Sequence, residues 1–364
     1  MTTFREPRAP LGKITTVLAC GGALFSDGYV NAASGPARYI LKAAYPHSYT
    51  ARYGTLFSSL VFVGIIIGQA TFGYIVDRKG RRGSMIFASI WLASLSLLSG
   101  LAYGGNNPKH LWKLLIAYRF FLGFGIGAEY PAGTVAAAEN TEDPGISKNM
   151  QQKLLVLATN TMIDWGFVVA YLVPYICLHI FGEGNLEWVW RLTLGFGAIV
   201  PLVVLPFRLL MQEPKLYQDS AAQKLPTMQL PWGLIFKKYW PRLLGVSLSW
   251  FIYDWISYPA GIYSSVITGD IIPNGSISQN LGWDIVINAF YLPGTIIGAF
   301  FVDWLGPKYC MITGFMCQAI IGFAMSGAFD TLKNHIAGFA VLYGIYLSFG
   351  EFGPGNNLQA LFAL

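Results

Sequence analysis

Long apolar stretches alternate with short polar segments along the whole chain. A helix needs about 20 mainly apolar residues to cross a bilayer, and ten stretches approach or exceed this length. We number them spans 1 to 10 in chain order, and they cover residues 14–35, 55–76, 83–105, 114–138, 154–180, 192–207, 243–268, 285–302, 309–329 and 336–363. The pattern predicts an all-α polytopic membrane protein with about ten transmembrane helices.

Several features of the first spans recur later in the chain at a nearly constant offset. Asp27 in span 1 corresponds to Asp254 in span 7, and Asp77 after span 2 corresponds to Asp303 after span 8. Two parallel repeats of six helices explain this offset. We therefore predict three parts: an N-terminal six-helix bundle (1–210), a polar cytoplasmic linker (211–240) and an incomplete C-terminal bundle of spans 7–10 (241–364). On this interpretation spans 11 and 12 are missing.

Charge is scarce and unevenly distributed. Of 364 residues, 54% are hydrophobic and only 12% are charged, whereas soluble domains carry about 25% charged residues. A soluble globule and a disordered chain are therefore both excluded. Lys and Arg are concentrated in the loops on the N-terminal side of the membrane, which predicts a cytoplasmic N-terminus, and we expect a plasma-membrane location. The net charge of +6 follows from this topology and does not indicate a nucleic-acid partner.

Side chains suited to catalysis or metal binding show no recognisable pattern. The sequence has no nucleophile–base constellation, metal cluster or phosphate-cradling loop. The cysteines are too scattered to predict a disulfide framework or a zinc site: Cys20, Cys177, Cys310 and Cys317. We expect a protein that is not an enzyme and that has no cofactor and no metal.

The segment between spans 2 and 3 combines glycines, an acid and a basic cluster, which we call the gating motif. A tight turn there would place the acid near neighbouring helix ends and the basic side chains at the cytoplasmic face. A positive-inside loop alone would explain the basic residues but not the spacing of the glycines and the acid, so we predict a role in conformational gating. The motif consists of Gly73, Asp77, Arg78, Gly80, Arg81 and Arg82.

Charged residues inside predicted spans include Asp27, Arg119, Glu129, Asp164 and Asp254. Each costs about 2.5–3.5 kcal/mol at the centre of a spanning helix. We therefore expect them to face the interior of the bundle or a water-filled cavity. Two interpretations stay open, a functional site and a structural ion pair, such as Arg119 with a carboxylate on a neighbouring helix.

Spans 4, 7 and 10 carry the polar groups expected to bind a solute. Glycines at 123, 125 and 127 precede Glu129 and Tyr130 and indicate a close helix approach or an exposed backbone. Trp250, Asp254 and Tyr258 are spaced by four residues, which places them on one face of span 7. In span 10, the run from Phe352 to Asn356 predicts a broken helix with amide side chains at the break.

Together these motifs resemble the phosphate:proton symporters of the major facilitator superfamily, and more closely the fungal glycerophosphoinositol and glycerophosphocholine permeases. The resemblance rests on the gating motif, on the segment from Gly125 to Pro131, on the Trp250, Asp254 and Tyr258 pattern, and on the span 10 motif. It implies the major facilitator fold. It also implies that Asp27, Glu129 and Asp254 carry or sense the proton. The side chains implied to bind the solute are Tyr130, Asp164, Trp250, Asp254, Tyr258 and Asn356.

The chain departs from the phosphate symporters at several positions. Glu129 replaces an aspartate, and Asn31 follows Asp27 where those proteins carry a second acid. Both changes fit the glycerophosphodiester branch. The lysine that binds phosphate in helix 11 of that family has no counterpart here.

The function that these features predict is proton-coupled import of glycerophosphodiesters or inorganic phosphate by alternating access. The partners would be a small phosphate-bearing solute, protons and the lipid bilayer. The alternative is a truncated, non-transporting remnant, a regulator or an incomplete gene model of such a permease. The residues alone do not choose among glycerophosphoinositol, glycerophosphocholine and inorganic phosphate.

Overall fold

Helices account for all the regular structure in the residues described by the computed structural model, which are 17, 20–22, 24–105, 107–141, 148–213, 218, 232–262, 264–272 and 275–358. Within them, eight helices are long and apolar enough to cross a membrane, and they correspond to spans 2–6 and 8–10. These are Ala51–Lys79, Arg81–Gly100, Pro108–Thr141, Gln151–Phe181, Glu183–Leu210, Ile277–Leu305, Pro307–Gly327 and Ile336–Leu358. The predicted all-α class is confirmed.

The two remaining predicted spans are also helical. Span 1 consists of Leu24–Ala32 and Ser34–Ala44, and span 7 of Trp232–Ile262 and Ser264–Ile271. Both continue well past the apolar stretches that predicted them. Backbone hydrogen bonds, and not apolarity, define where a helix ends, so hydropathy underestimates helix length. Most of the predicted linker, residues 214–217 and 219–231, lies outside the described residues, and the division into two bundles stays a prediction.

Most spans contain a local irregularity. Short 3₁₀ turns interrupt span 6 at Glu183–Asn185 and Phe196–Ala198, and single-residue breaks divide spans 5 and 8. The α-helical pieces of spans 4, 5, 6, 8 and 10 are Pro108–Glu129, Val135–Thr141, Lys148–Ala158, Asn160–Phe181, Leu186–Gly195, Ile199–Leu210, Ile277–Ala289, Tyr291–Leu305 and Ile336–Gly350. A four-residue helix, Phe329–Leu332, follows span 9.

Spans 4 and 10 each contain one π-helical turn, at Tyr130–Thr134 and Glu351–Gly355. Each turn contains a proline, Pro131 or Pro354, which lacks the N–H that a regular helix would use. Such turns are frequent at functional sites because they re-aim side chains without ending the helix. The expectation of a break in span 10 is therefore corrected, since the helix widens at the motif and continues to Leu358.

Spans 2 and 4 pack backbone against backbone through glycines. A Cβ on Gly123 would lie 1.9 Å from the Val61 carbonyl oxygen, and one on Gly127 would lie 2.3 Å from the Ile65 carbonyl oxygen. A Cβ on Gly125 would instead meet the Trp91 ring at 2.6 Å. Of the two roles predicted for these glycines, the structure shows the close helix approach.

We expect Gly127→Ala to lower stability, because the new methyl group would collide with the backbone of span 2, and such overpacking costs about 1–3 kcal/mol. Thermal unfolding of the purified protein in detergent measures the effect. Gly83→Ala is the matched control, since a Cβ there meets nothing within 4 Å, and it should cause no loss. Equal melting temperatures for the two variants would contradict the close packing of spans 2 and 4.

Spans that precede the predicted linker contact spans that follow it. Span 5 packs on span 8, and Ser34–Ala44 of span 1 packs on Ser264–Ile271 of span 7. Tyr171 Oη in span 5 donates to the Gly261 carbonyl in span 7 at 2.9 Å. A large cavity lies between the same two sets of helices.

Candidate functional site

The cavity has a volume of about 1660 Å³ and is lined by spans 1, 2, 4, 5, 7, 8 and 10. Its position between the two sets of helices is where transporters built from repeats bind their solutes. Five of the six predicted solute-binding residues line it: Tyr130, Asp164, Trp250, Asp254 and Tyr258. Asn356 is fully buried behind the wall.

The aromatic and acidic face of span 7 forms one wall of the cavity. The Phe62 and Tyr258 rings meet edge to face, with centroids 5.1 Å apart, and the Tyr130 and Tyr258 hydroxyls interact. One turn before Tyr258, the Oδ1 atom of Asp254 is buried and has no hydrogen-bond partner in the protein. The wall thus offers phenol donors beside a carboxyl group that has one oxygen without a hydrogen-bond partner in the protein.

A hydrogen-bonded chain beside the cavity joins span 5 to spans 7, 8 and 10. Asn160 Nδ2 donates to Glu351 Oε2 at 2.7 Å and to Asn356 Oδ1 at 2.9 Å. Tyr253 Oη donates to Glu351 Oε1 at 2.5 Å. Asn356 Nδ2 donates to the Thr295 carbonyl at 2.9 Å, and Thr295 Oγ1 donates to Asp164 Oδ2. We call this set the seam network: Asn160, Asp164, Tyr253, Thr295, Glu351 and Asn356.

Four members of the seam network were missed as site residues: Asn160, Tyr253, Thr295 and Glu351. Glu351 carries the same signal that identified Asp164, an acid inside a predicted span. Asn160 lies one turn before Asp164 on the same helix face, which is a weaker signal. Tyr253 directly precedes Asp254 and lies off the face shared by Trp250 and Tyr258, so the spacing rule did not include it.

Two of the predicted proton-coupling residues lie away from the cavity. Asp27 is fully buried, and neither of its carboxyl oxygens has a hydrogen-bond partner. Glu129 is also fully buried and forms an ion pair with Arg208 through both oxygens. Neither residue is among those that line the cavity.

Two fully buried arginines have partners that the sequence did not predict. Arg208 directly follows predicted span 6 (192–207), but the structure buries it within that helix, where it also donates to Ser89 Oγ at 2.9 Å. Arg119 pairs with backbone and not with the carboxylate that we considered. It donates to the carbonyls of Val30 at 2.6 Å and Phe57 at 3.3 Å.

The gating motif forms the junction between spans 2 and 3. Gly80 has φ +98° and makes the turn, a conformation that favours glycine, whereas Gly73 lies within the span 2 helix, where a Cβ would meet no atom within 4 Å. Arg81 Nη2 lies 3.0 Å from Glu139 Oε1 and 3.5 Å from Asp77 Oδ1. The motif thereby ties spans 2 and 3 to the end of span 4.

A residue outside the motif, Glu213, holds this junction against the end of span 6. Its carboxylate accepts the backbone N–H groups of Arg81 at 3.0 Å and Arg82 at 3.1 Å. A negative charge is favourable there because the first N–H groups of a helix have no intrahelical partner. Arg82 Nη2 donates in return to the Leu209 carbonyl at 2.5 Å, and Arg78 stacks over the Tyr74 ring at 4.0 Å.

These helices and this cavity define a membrane transporter of the major facilitator superfamily. The partially occluded inward open structure of the xylose transporter XylE from E. coli has a TM-score of 0.73, at 20% identity over 96% of this chain and 88% of that one. The family model described as sugar (and other) transporter matches residues 14–229 and 216–361. The chain belongs to this family.

Fungal relatives share more of the sequence. The glycerophosphocholine permease of Candida albicans is 41% identical over 98% of this chain and 67% of its own length. The major glycerophosphoinositol permease of the same organism is 41% identical over 94% of this chain and 64% of its own length. The chain thus spans about two thirds of the length of these relatives. The resemblance predicted from the motifs is confirmed.

Proposed function

We propose that this protein imports glycerophosphodiesters or inorganic phosphate together with protons, by alternating access of the two halves around the central cavity. The observation that carries the proposal is the Asp254 carboxyl, which faces the cavity with one oxygen free of protein partners. Tyr130, Trp250 and Tyr258 surround the same space with groups that can donate hydrogen bonds to phosphate oxygens. The names of the two fungal permeases supply the class of solute.

Proton coupling follows from the charges at this wall. A phosphodiester anion placed about 4 Å from an ionised Asp254 would meet a repulsion of about 4 kcal/mol at an effective dielectric constant of 20. A proton on Asp254 removes that repulsion, so the solute and the proton bind together more readily than the solute alone. A second acid that lines the cavity, Asp164, adds to this repulsion when it is ionised.

Asp27 and Glu129 have supporting roles in this proposal. An ionised carboxylate without hydrogen-bond partners is costly to bury, whereas a protonated one costs much less, so the surroundings of Asp27 suit a carboxyl that carries a proton. Glu129 senses the proton through its ion pair with Arg208. The gating motif holds the ends of spans 2, 3, 4 and 6 together while the cavity is in this state. The membrane would be the plasma membrane, with the N-terminus in the cytoplasm.

We expect uptake of radiolabelled glycerophosphocholine or glycerophosphoinositol by cells that produce the protein to rise as external pH falls. A lower pH increases the share of carriers that bind a proton from outside. Unlabelled glycerophosphocholine, glycerophosphoinositol and inorganic phosphate, added in turn as competitors, rank the three solutes. A protonophore should abolish accumulation.

The outcome against this proposal is a correctly folded protein at the cell surface that takes up none of the three solutes. Such a result would favour the non-transporting alternative. Uptake that is insensitive to both external pH and the protonophore would reject proton coupling while leaving transport itself intact.

A further inference from the structure

Glu351 sits where hydrogen-bond partners can satisfy its carboxyl in either protonation state. It lines the cavity but is only 4% exposed. Asn160 Nδ2 donates to Glu351 Oε2 and to Asn356 Oδ1, so Oε2 already accepts a hydrogen bond. Oε1, which faces a phenol and no other donor in this network, is the oxygen assigned the proton.

The hydroxyl of Tyr253 can form a hydrogen bond with Oε1 in either protonation state of Glu351. Its hydroxyl lies 2.5 Å from Oε1, and a phenol can either donate or accept a hydrogen bond. With an ionised Glu351 the phenol donates to Oε1. With a protonated Glu351, Oε1 donates to the phenol oxygen. A switch of this kind needs only rotation of the hydroxyl, and no side chain has to move.

Asp164 has an equivalent arrangement on the other half. Thr295 Oγ1 contacts both Asp164 Oδ2 and the Tyr291 carbonyl, which lies 3.0 Å away. When Thr295 donates to that carbonyl, its oxygen can accept a hydrogen bond from a protonated Asp164. The two acids are close enough to interact electrostatically. None of the ion pairs in the described part of the chain includes either of them.

We infer that Glu351 is a second proton-carrying carboxyl of the transport cycle and that its protonation controls the contact between span 5 and span 10. The inference rests on the proposed function. The acids that face Glu351 are Asp164 and Asp254. The phenols that interact with it are Tyr253, Tyr258 and Tyr291.

Release of the proton from Glu351 would weaken the seam network, because it leaves a buried negative charge. An ionised Glu351 keeps its two hydrogen bonds but has no cation beside it, and it lies close to a second acid on the opposite half. Burying such a charge is costly, so the ionised network favours exposure to water, which requires that span 5 and span 10 separate. The protonated network can remain closed.

Infrared spectroscopy of the purified full chain tests whether Glu351 takes up and releases a proton, and it needs no solute. Raising the pH should remove intensity from the carbonyl band of protonated carboxyl groups, and Glu351→Gln should lack one component of that change. The matched control is Glu187→Gln, because Glu187 forms an exposed ion pair with Arg191 outside the seam, and it should keep the component. A full change in Glu351→Gln would overturn the inference.

Transport assays in proteoliposomes distinguish an effect on proton coupling from an effect on solute binding. Glu351→Gln cannot take up or release a proton, so accumulation driven by a proton gradient should fall more than exchange of labelled for unlabelled solute does. Accumulation at the wild-type level, or equal losses of accumulation and exchange, would overturn the inference. If the wild type transports nothing, the proposed function fails, and the infrared result alone decides the role of Glu351.

Tyr253→Phe provides a second variant should Glu351→Gln fail to fold. It removes the partner of Oε1 and retains the ring, so the infrared component should titrate at a different pH from that of the wild type. An unchanged titration would show that Tyr253 does not share the proton of Glu351 and would overturn the inference.

Discussion

Replacing Asp254 with asparagine is expected to reduce proton-driven accumulation of the solute to background and to remove its dependence on external pH. Asparagine has the same shape as aspartate but takes up no proton. Asp254 Oδ1 has no hydrogen-bond partner in the protein, so the substitution leaves that side of the residue without a lost contact. The effect should therefore fall on transport and not on folding.

Uptake by matched amounts of surface protein, measured over a range of external pH, checks this result. Asp330→Asn is a suitable control because its carboxylate lies in an exposed ion pair with Lys333, far along the chain from the cavity residues. Accumulation by Asp254→Asn with an unaltered pH profile would exclude Asp254 as a proton carrier. Loss of the protein from the surface would instead indicate a structural role.

The largest loss of stability is expected from Arg208→Met. The substitution leaves Glu129 buried without its cationic partner, and breaking a buried pair in this way costs about 3–5 kcal/mol. The hydrogen bonds of Arg208 to Ser89 Oγ and to the Met85 carbonyl are lost as well. We expect a marked fall in the melting temperature of the purified protein and in its yield.

A second substitution distinguishes the loss of stability due to the buried charge from the loss due to packing. Arg208→Met combined with Glu129→Gln removes the uncompensated charge and should recover much of the stability. Lys333→Met, which breaks an exposed ion pair, should have little effect. If the double variant were no more stable than Arg208→Met alone, the loss would reflect packing and not the buried carboxylate.

The candidate site shows which site residues a sequence pattern can predict and which it cannot. The four-residue spacing of Trp250, Asp254 and Tyr258 predicted a shared helix face, and all three line the cavity. Asp27 and Glu129 were selected because they lie inside spans, but that criterion does not tell which way a side chain points. The structure places both of them in the packed interior of the first half.

The sequence pattern did not predict contacts between residues that are distant along the chain. Glu129 and Arg208 belong to spans 4 and 6, and Arg208 lies so near the end of its apolar stretch that hydropathy assigned it to a loop. Asn160 and Glu351 belong to spans 5 and 10. No local spacing relates such residues, because their contact depends on how the helices are arranged around one another.

The sequence by itself determined the helical class, most of the spans, the family and the acidic and aromatic face of span 7. These follow from apolar length, helical period and motif, all of which are local along the chain. Only the tertiary structure decided that Glu129 pairs with Arg208, that span 10 widens without breaking, and that Glu351 bonds to spans 5 and 7. Each of these depends on which helix faces meet, and in a membrane protein apolar residues face both lipid and neighbouring helices, so hydrophobicity alone does not distinguish them.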